Sequence, residues 1–93
     1  MIADRDLAGA ERVAEDCAKI AGKEAVSFTS IDIRDRKTIQ AALDATVKAF
    51  GGVDIIINTA AIFPSSPDGI INDDQWALTL DINVTSNLSL IHI

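Results

Sequence analysis

The sequence is poor in cysteine, histidine and basic residues, and each shortage excludes a class of protein. With Cys17 as its only cysteine and one histidine, the chain has neither an internal disulfide nor a metal-ligand spacing. No apolar run approaches the roughly 18 residues of a membrane-spanning helix. The eight Lys and Arg residues are scattered among 14 acids, and the net charge is −6. A nucleic-acid-binding surface needs clustered basic residues and is therefore not expected.

What is present fits one small globular domain. The 93 residues are 48% apolar and 24% charged, which allows a core of modest size. The opening MIADRD reaches charged residues at once, unlike a signal peptide. Together with the single cysteine, this start predicts a cytoplasmic protein.

The residue pattern predicts three strands that alternate with three helices. The strands are expected in MIA, EAVSFTSIDI and VDIIIN, and VDIIIN is apolar enough to be buried on both faces. The first two helices follow residues able to cap them, Asp6 and Asp35, and end at Gly22 and Gly51. The last helix is expected to start at Asp73 or Asp74. This alternation indicates an α/β fold with an open, doubly wound parallel sheet of the Rossmann type.

Apolar residues at helical spacing give each helix a candidate core face. These faces are Ala10, Val13, Ala14, Cys17 and Ile20 in the first helix, Ile39, Leu43, Val47 and Phe50 in the second, and Trp76, Leu80, Val84 and Leu88 in the last. Cys17 is therefore interpreted as a buried thiol rather than a nucleophile.

Polar residues end all three predicted strands. They are Asp4, Asp32 and Asn58, and ligands of such sheets bind beyond the carboxyl ends of the strands. Asp4 is placed to accept hydrogen bonds from ribose hydroxyls, and Asp32 to meet an adenine amine. The small Ala60 and Ala61 would let a ring approach the backbone. Each polar residue alone also fits a cap, a turn or a strand exit, but together they favour a nucleotide cleft.

Four stretches, in order, resemble the short-chain dehydrogenase/reductase family. IADRD looks like the end of the family's second strand, and IDIRD like its acidic segment, in which Asp32 and Ile33 would flank the adenine. GGVDIIINTAAI is similar to the strand that leads into the family's Asn-Asn-Ala-Gly motif. WALTLDINVTSN resembles the helix with the family's catalytic asparagine, which maps to Asn83. The resemblance implies an oxidoreductase that moves hydride between a nicotinamide cofactor and an alcohol or carbonyl substrate.

The resemblance also assigns cofactor-contacting residues. Asn58, Thr59, Ala60 and Ala61 would border the adenosine side of the cofactor, although Thr59 replaces an asparagine and Ala61 a glycine of the motif. Asp4 implies NAD because its carboxylate disfavours a 2′-phosphate, whereas the neighbouring Arg5 is a residue that often serves NADP enzymes. NAD is the cofactor predicted here.

One run points to a narrower subgroup. NTAAIFP is similar to the dehydrogenase half of bifunctional rhamnulose-phosphate aldolase/alcohol dehydrogenase proteins. That likeness implies a small hydroxy-aldehyde or a sugar-derived alcohol as substrate. Complete members of the wider family usually form dimers or tetramers, so a homo-oligomer is expected of the full-length protein.

Some of the family's parts do not occur in this sequence. It has no tyrosine for the catalytic Tyr-x-x-x-Lys pair, and none of its five glycines has the spacing of the phosphate-binding turn. Residues 1–87 are therefore interpreted as the middle of a Rossmann domain, without its first strand and C-terminal half. The chain alone is expected to be inactive, and residues 88–93 are hypothesised to be a non-native tail.

Two other classes are compatible with the pattern. A non-catalytic nucleotide-sensing or regulatory module could keep only the adenosine half of the cleft. A flavodoxin-like signalling domain would want a lysine at a later strand end, and the sequence offers none there.

Overall fold

The computed structural model describes residues 1–93, which fall into two compact units. The first unit is Met1–Ile56 and the second is Ile57–Ile93. No helix in either unit is long and apolar enough to cross a membrane.

The first unit contains a two-stranded parallel sheet and two long helices. Strand β1 (Ile2–Asp4) is followed by helix α1 (Leu7–Ala21), a 3₁₀ turn (Lys23–Ala25), strand β2 (Phe28–Ser30) and helix α2 (Arg36–Phe50). The strands pair in parallel with Ile2 opposite Phe28 and Asp4 opposite Ser30. A helix that connects two parallel strands is the βαβ arrangement expected of an α/β fold.

Local sequence signals set the ends of both helices. The Asp6 carboxylate accepts the Gly9 N–H at the start of α1, and the Asp35 carboxylate accepts the Lys37 N–H at the start of α2. Gly22 and Gly51 end the helices with φ angles of 92° and 86°. These backbone angles are strained for residues with a side chain, so the predicted glycine stops are confirmed.

Only the inner part of the first two predicted core faces is buried, and the face predicted for the last helix is wrong, because Trp76, Leu80, Val84 and Leu88 are 41% to 60% exposed. Ala10 and Ala14 of α1 are buried, whereas Ile20 is 92% exposed. In α2, Ile39 is 1% exposed and Val47 is 45% exposed. The thiol of Cys17 is half-buried rather than buried. The core of this unit is thus small, and its buried apolar residues are Ala10, Ala14, Ile33, Ile39 and Ala42.

The second unit is a loop followed by a helical segment with a π-helical middle. Helix α3 (Asp73–Leu80) leads into a π-helical turn (Asp81–Thr85) and then into helix α4 (Ser86–Ile91). Helix α3 starts at Asp73, one of the two predicted starts, and Asn72 caps it. Its side chain accepts the Gln75 N–H, while the Gln75 side chain accepts the Asn72 N–H. This reciprocal pair is a capping box.

The predicted third strand, VDIIIN, does not form. Residues 53–58 pair with no strand, and Ile55 and Ile57 are 80% and 83% exposed. A strand needs a hydrogen-bonded neighbour, and in the Rossmann order the fourth strand lies beside the first and fifth. The two observed strands match the second and third of that order by resemblance. Residues 1–93 therefore contain no strand beside which VDIIIN could lie. The prediction that this segment is a strand buried on both faces is wrong.

Candidate functional site

The end of the parallel sheet brings Asp4, Arg5 and Asp32 together. The last hydrogen bond between the strands joins the Ile31 N–H to the Asp4 carbonyl, at 3.1 Å. Arg5 and Asp32 are the residues that come directly after this bond on the two chain segments. Strand β2 ends at Ser30, two residues earlier than the exit predicted at Asp32. The sheet nevertheless places the two predicted acids at the same carboxyl end.

Asp4 is an exposed carboxylate with a fixed backbone partner. Its Oδ1 accepts the N–H of Asp6 at 2.9 Å, which makes a short turn between β1 and α1. This bond engages one oxygen of the carboxylate. An ionised carboxylate has about four acceptor positions, so Asp4 retains the capacity to accept hydroxyl groups.

Asp32 is held in place by Thr38, a residue that the sequence analysis did not single out. The Thr38 hydroxyl accepts the Asp32 N–H at 3.0 Å. The same hydroxyl can donate to the Asp32 carbonyl, at 2.7 Å, or to the Asp35 carbonyl, at 2.9 Å. The Asp32 Oδ1 also accepts the Arg34 N–H at 3.0 Å. The turn that carries Asp32 is thereby fastened to the first turn of α2.

Arg5 forms an ion pair with Asp32 rather than with the adjacent Asp4. The Arg5 Nε lies 3.9 Å from the Asp32 Oδ2. The Arg5 side chain is 67% exposed and that of Asp32 is 37% exposed, so the pair lies at the surface. Exposed pairs contribute little to stability, but they bias where a long side chain points.

Ile33 has a structural explanation. It is 7% exposed and belongs to the core of the first unit. Its apolar character follows from this packing, so a ligand beside it would meet its backbone rather than its side chain.

In the second unit, Asn58 bridges two parts of the chain. Its Nδ2 donates to the Asn87 Oδ1 at 2.6 Å, and its Oδ1 accepts the Ala60 N–H at 3.1 Å. The four residues from Asn58 to Ala61 are all exposed. The methyl groups of Ala60 and Ala61 add little bulk there.

The side chain of Asn83 is occupied by the backbone of Ile62. The Asn83 Oδ1 accepts the Ile62 N–H at 2.9 Å, and its Nδ2 donates to the Ile62 carbonyl at 2.8 Å. Asn83 lies in the π-helical turn, a feature often found at functional sites. Asn87 adds a further bond, because its Nδ2 donates to the Asn83 carbonyl at 2.8 Å. Each of the two amide atoms of Asn83 has one further hydrogen-bonding position, so the side chain retains the capacity to bind a water.

The predicted residues form one group in each unit. Asp4, Arg5, Asp32 and Ile33 lie in the first unit, and Asn58, Thr59, Ala60, Ala61 and Asn83 lie in the second. Sequence reasoning missed Thr38 and Asn87. A signal existed for both: Thr38 is the third residue after the cap Asp35, and Asn87 follows Asn83 by one helical turn. No group of three His, Cys, Asp or Glu side chains is placed to hold a metal ion.

Comparison with known proteins matches this chain to dehydrogenases. The sequence model of the short chain dehydrogenase family matches residues 1–93. A galactitol 2-dehydrogenase from Agrobacterium fabrum is 34% identical over 84 residues, which cover 90% of this chain and 31% of that protein. A trans-4-hydroxycyclohexanecarboxylate dehydrogenase from Sinomonas cyclohexanicum is 29% identical over 87 residues, which cover 94% of this chain and 34% of that protein.

A longer relative and a solved structure agree with these matches. The uncharacterized oxidoreductase YuxG of Bacillus subtilis is 27% identical over 82 residues, or 88% of this chain, but these make up only 12% of that protein. A crystal structure from Burkholderia xenovorans, assigned to the short-chain dehydrogenases/reductases, superposes with a TM-score of 0.69 at 27% identity and covers 95% of this chain and 34% of that one. The chain thus spans about a third or less of the length of these relatives. Because the family model matches it from end to end, the chain belongs to the short-chain dehydrogenase family.

Proposed function

We propose that the chain is the adenosine-binding part of an NAD-dependent oxidoreductase, which transfers hydride between the nicotinamide and an alcohol or carbonyl substrate. The family as a whole suggests a nicotinamide cofactor. The observation that carries the choice of NAD is the exposed Asp4 carboxylate at the carboxyl end of β1. A carboxylate at this position accepts the ribose hydroxyls of NAD and repels the 2′-phosphate of NADP.

Asp32 and Ile33 are proposed to contact the adenine. The Asp32 carboxylate, on its fastened turn, is an acceptor suited to the exocyclic amine, and its side chain is 37% exposed. The backbone of Ile33 would lie beside the ring. This assignment gives the adenine one polar contact from a rigid turn, which limits the entropy lost on binding.

In the second unit, Asn58, Thr59, Ala60 and Ala61 are proposed to lie along the cofactor. The support for this proposal is that all four residues are exposed and that their side chains are short. Asn58 keeps this segment in shape through its hydrogen bonds to Ala60 and Asn87.

The proposed role of Asn83 is to hold the catalytic water of the family. When bound, the nicotinamide supplies or accepts the hydride. The proton must be handled by a tyrosine and a lysine, and the 93 residues contain no tyrosine. We therefore expect the chain by itself to show no turnover, although it retains adenosine-binding groups.

A polyol or a sugar-derived hydroxy-aldehyde is the proposed substrate class. One relative is named for a polyol, galactitol, and another for a cyclic hydroxy acid, so secondary alcohols recur among the matches. We also propose that the full-length protein is a cytoplasmic homo-oligomer.

The test begins with the DNA that flanks this reading frame. We expect a glycine-rich turn upstream and a Tyr-x-x-x-Lys pair downstream, and we expect the longer protein to reduce NAD⁺ when supplied with polyols. The absorbance of NADH formed from saturating NAD⁺, compared with that of NADPH formed from saturating NADP⁺, measures both activity and cofactor preference. A longer protein without the Tyr-Lys pair, and without turnover, would contradict the enzyme proposal and favour the nucleotide-sensing module.

A further inference from the structure

We propose that the Arg5–Asp32 ion pair is a selectivity element of the adenosine site, in which Asp32 withholds Arg5 from a cofactor 2′-phosphate. This inference rests on the proposed function and deepens it. It assigns Asp32 a second task, in addition to any contact with adenine, and it explains how an arginine beside Asp4 is compatible with a preference for NAD.

The sheet determines the position of the pair. The bond from the Ile31 N–H to the Asp4 carbonyl is the last between the two chain segments. Arg5 and Asp32 follow it directly, one on each segment. Their side chains meet with 3.9 Å between the Arg5 Nε and the Asp32 Oδ2. The contact therefore follows from the strand register and not from a chance encounter of distant loops.

Asp32 is the fixed partner and Arg5 the movable one. Both main-chain groups of Asp32 lie within hydrogen-bonding distance of the Thr38 hydroxyl, and its Oδ1 accepts the Arg34 N–H. By contrast, the pair with Asp32 is the only ion pair of Arg5, whose side chain is 67% exposed. Loss of the Asp32 charge would thus release Arg5 and leave the turn in place.

The charges explain why this release matters. A 2′-phosphate is an ideal partner for a guanidinium, which can bind it through two parallel hydrogen bonds. With Arg5 paired to Asp32, the guanidinium does not offset the charge of the Asp4 carboxylate, which repels the phosphate. Since an exposed ion pair shifts an equilibrium by about two- to fivefold, the selectivity that it provides should be of this size.

The test compares two nucleotides that differ only in the position of the phosphate. Adenosine 2′-monophosphate and adenosine 5′-monophosphate are titrated into the 93-residue chain, and dissociation constants are read from backbone amide shifts. We expect D32N to raise the affinity for the 2′-nucleotide relative to the 5′-nucleotide by about two- to fivefold. The asparagine side chain can still accept the Arg34 N–H, so the turn should survive, and circular dichroism checks the fold of each variant.

The matched control is D35N. It removes one negative charge from the same turn, and asparagine is as good a helix cap as aspartate. Since Asp35 does not pair with Arg5, we expect D35N to change the ratio of affinities by less than about twofold. A gain equal to that of D32N would show that net charge alone sets the preference and would overturn the inference.

A double-mutant cycle isolates the arginine. In an R5Q background, D32N should no longer change the ratio, because there is no guanidinium to release. An unchanged gain in that background would overturn the inference. A measurement without ligand supports the cycle: the Arg5 Nε–H resonance should move in D32N and stay in place in D35N.

The two failures can be told apart. If adenosine 5′-monophosphate shifts no amide near Asp4 or Asp32 in the wild-type chain, the proposed nucleotide site is wrong and the inference falls with it. If the nucleotide binds but D32N leaves the ratio unchanged, only the selectivity role of the ion pair is wrong.

Discussion

The two units of this chain are stabilised in different ways. The first buries five apolar residues, from Ala10 to Ala42, beside a parallel strand pair. The second buries only Ile82 and Ser86, and the Ser86 hydroxyl donates to the Ile82 carbonyl. Its loop is instead tied to its helical segment by the amides of Asn83 and Asn87. Apolar burial holds the first unit, whereas directional hydrogen bonds have a larger share in the second.

Truncation of a buried side chain in the first unit should have the largest effect. I39A removes most of a side chain that is 1% exposed, so the free energy of unfolding should fall by about 2–5 kcal/mol. Urea unfolding followed by circular dichroism measures it. The control I20A removes a side chain that is 92% exposed and should change stability by less than about 0.5 kcal/mol. Equal losses in the two variants would contradict a core centred on α2.

Loss of the Asn83 amide should loosen the second unit by a smaller amount. N83A removes both hydrogen bonds to Ile62, which together contribute about 1–3 kcal/mol. Amide exchange at Ile62 should accelerate accordingly, with no change at Ile39. N83D keeps an acceptor for the Ile62 N–H and should fall between N83A and the wild type. Uniform acceleration across the chain would mean that Asn83 stabilises more than its own loop.

Deletion of a helix cap distinguishes a packed helix from an unpacked one. N72A removes the cap of α3, which buries none of its residues, and D35A removes the cap of α2, which buries Ile39 and Ala42. Each cap contributes about 1 kcal/mol. Because packing still holds α2, amide exchange in the first helical turn should rise more for N72A. N72D and D35N keep a cap and serve as controls, and a larger rise in D35A would reverse the comparison.

Acid should have the smallest effect, and one place where it acts is the loop before α3. The Ser66 hydroxyl, and then the Ile70 N–H, donate to Asp68 and lower the pKa of its carboxyl. A lowered pKa in the folded state means that the contribution to stability is present above the unfolded value and is lost as the pH falls through the folded value. An NMR titration should show the Asp68 pKa rising in S66A. An unchanged value would contradict this assignment.

Structural features that depend only on residues close together in the sequence could be predicted. The caps at Asp6 and Asp35 and the glycine stops at Gly22 and Gly51 each involve contacts within four residues, and the structure confirms them. Helix α3 starts at Asp73, which is one of the two positions predicted. The sequence also contains a signal for its cap, because Asn72 is followed three residues later by a glutamine.

Features that depend on distant partners could not be predicted in the same way. VDIIIN has the composition of a buried strand, but composition does not supply a neighbouring strand to bond with. The contacts of Arg5 with Asp32 and of Asn83 with Ile62 depend on strand register and on the π-helical turn. The positions of Asp4 and Asp32 at one sheet end were predictable because parallel strands align their carboxyl ends.

The most direct test of the central claim is a titration of the ¹⁵N-labelled chain with adenosine 5′-monophosphate. If the carboxyl end of the β1–β2 pair is an adenosine site, the amides of Asp4, Arg5, Asp32 and Ile33 should shift together with one dissociation constant. In D4N the affinity should fall, because a charged acceptor for the ribose hydroxyls is lost. Shifts confined to other residues, or equal affinity in D4N, would contradict the account.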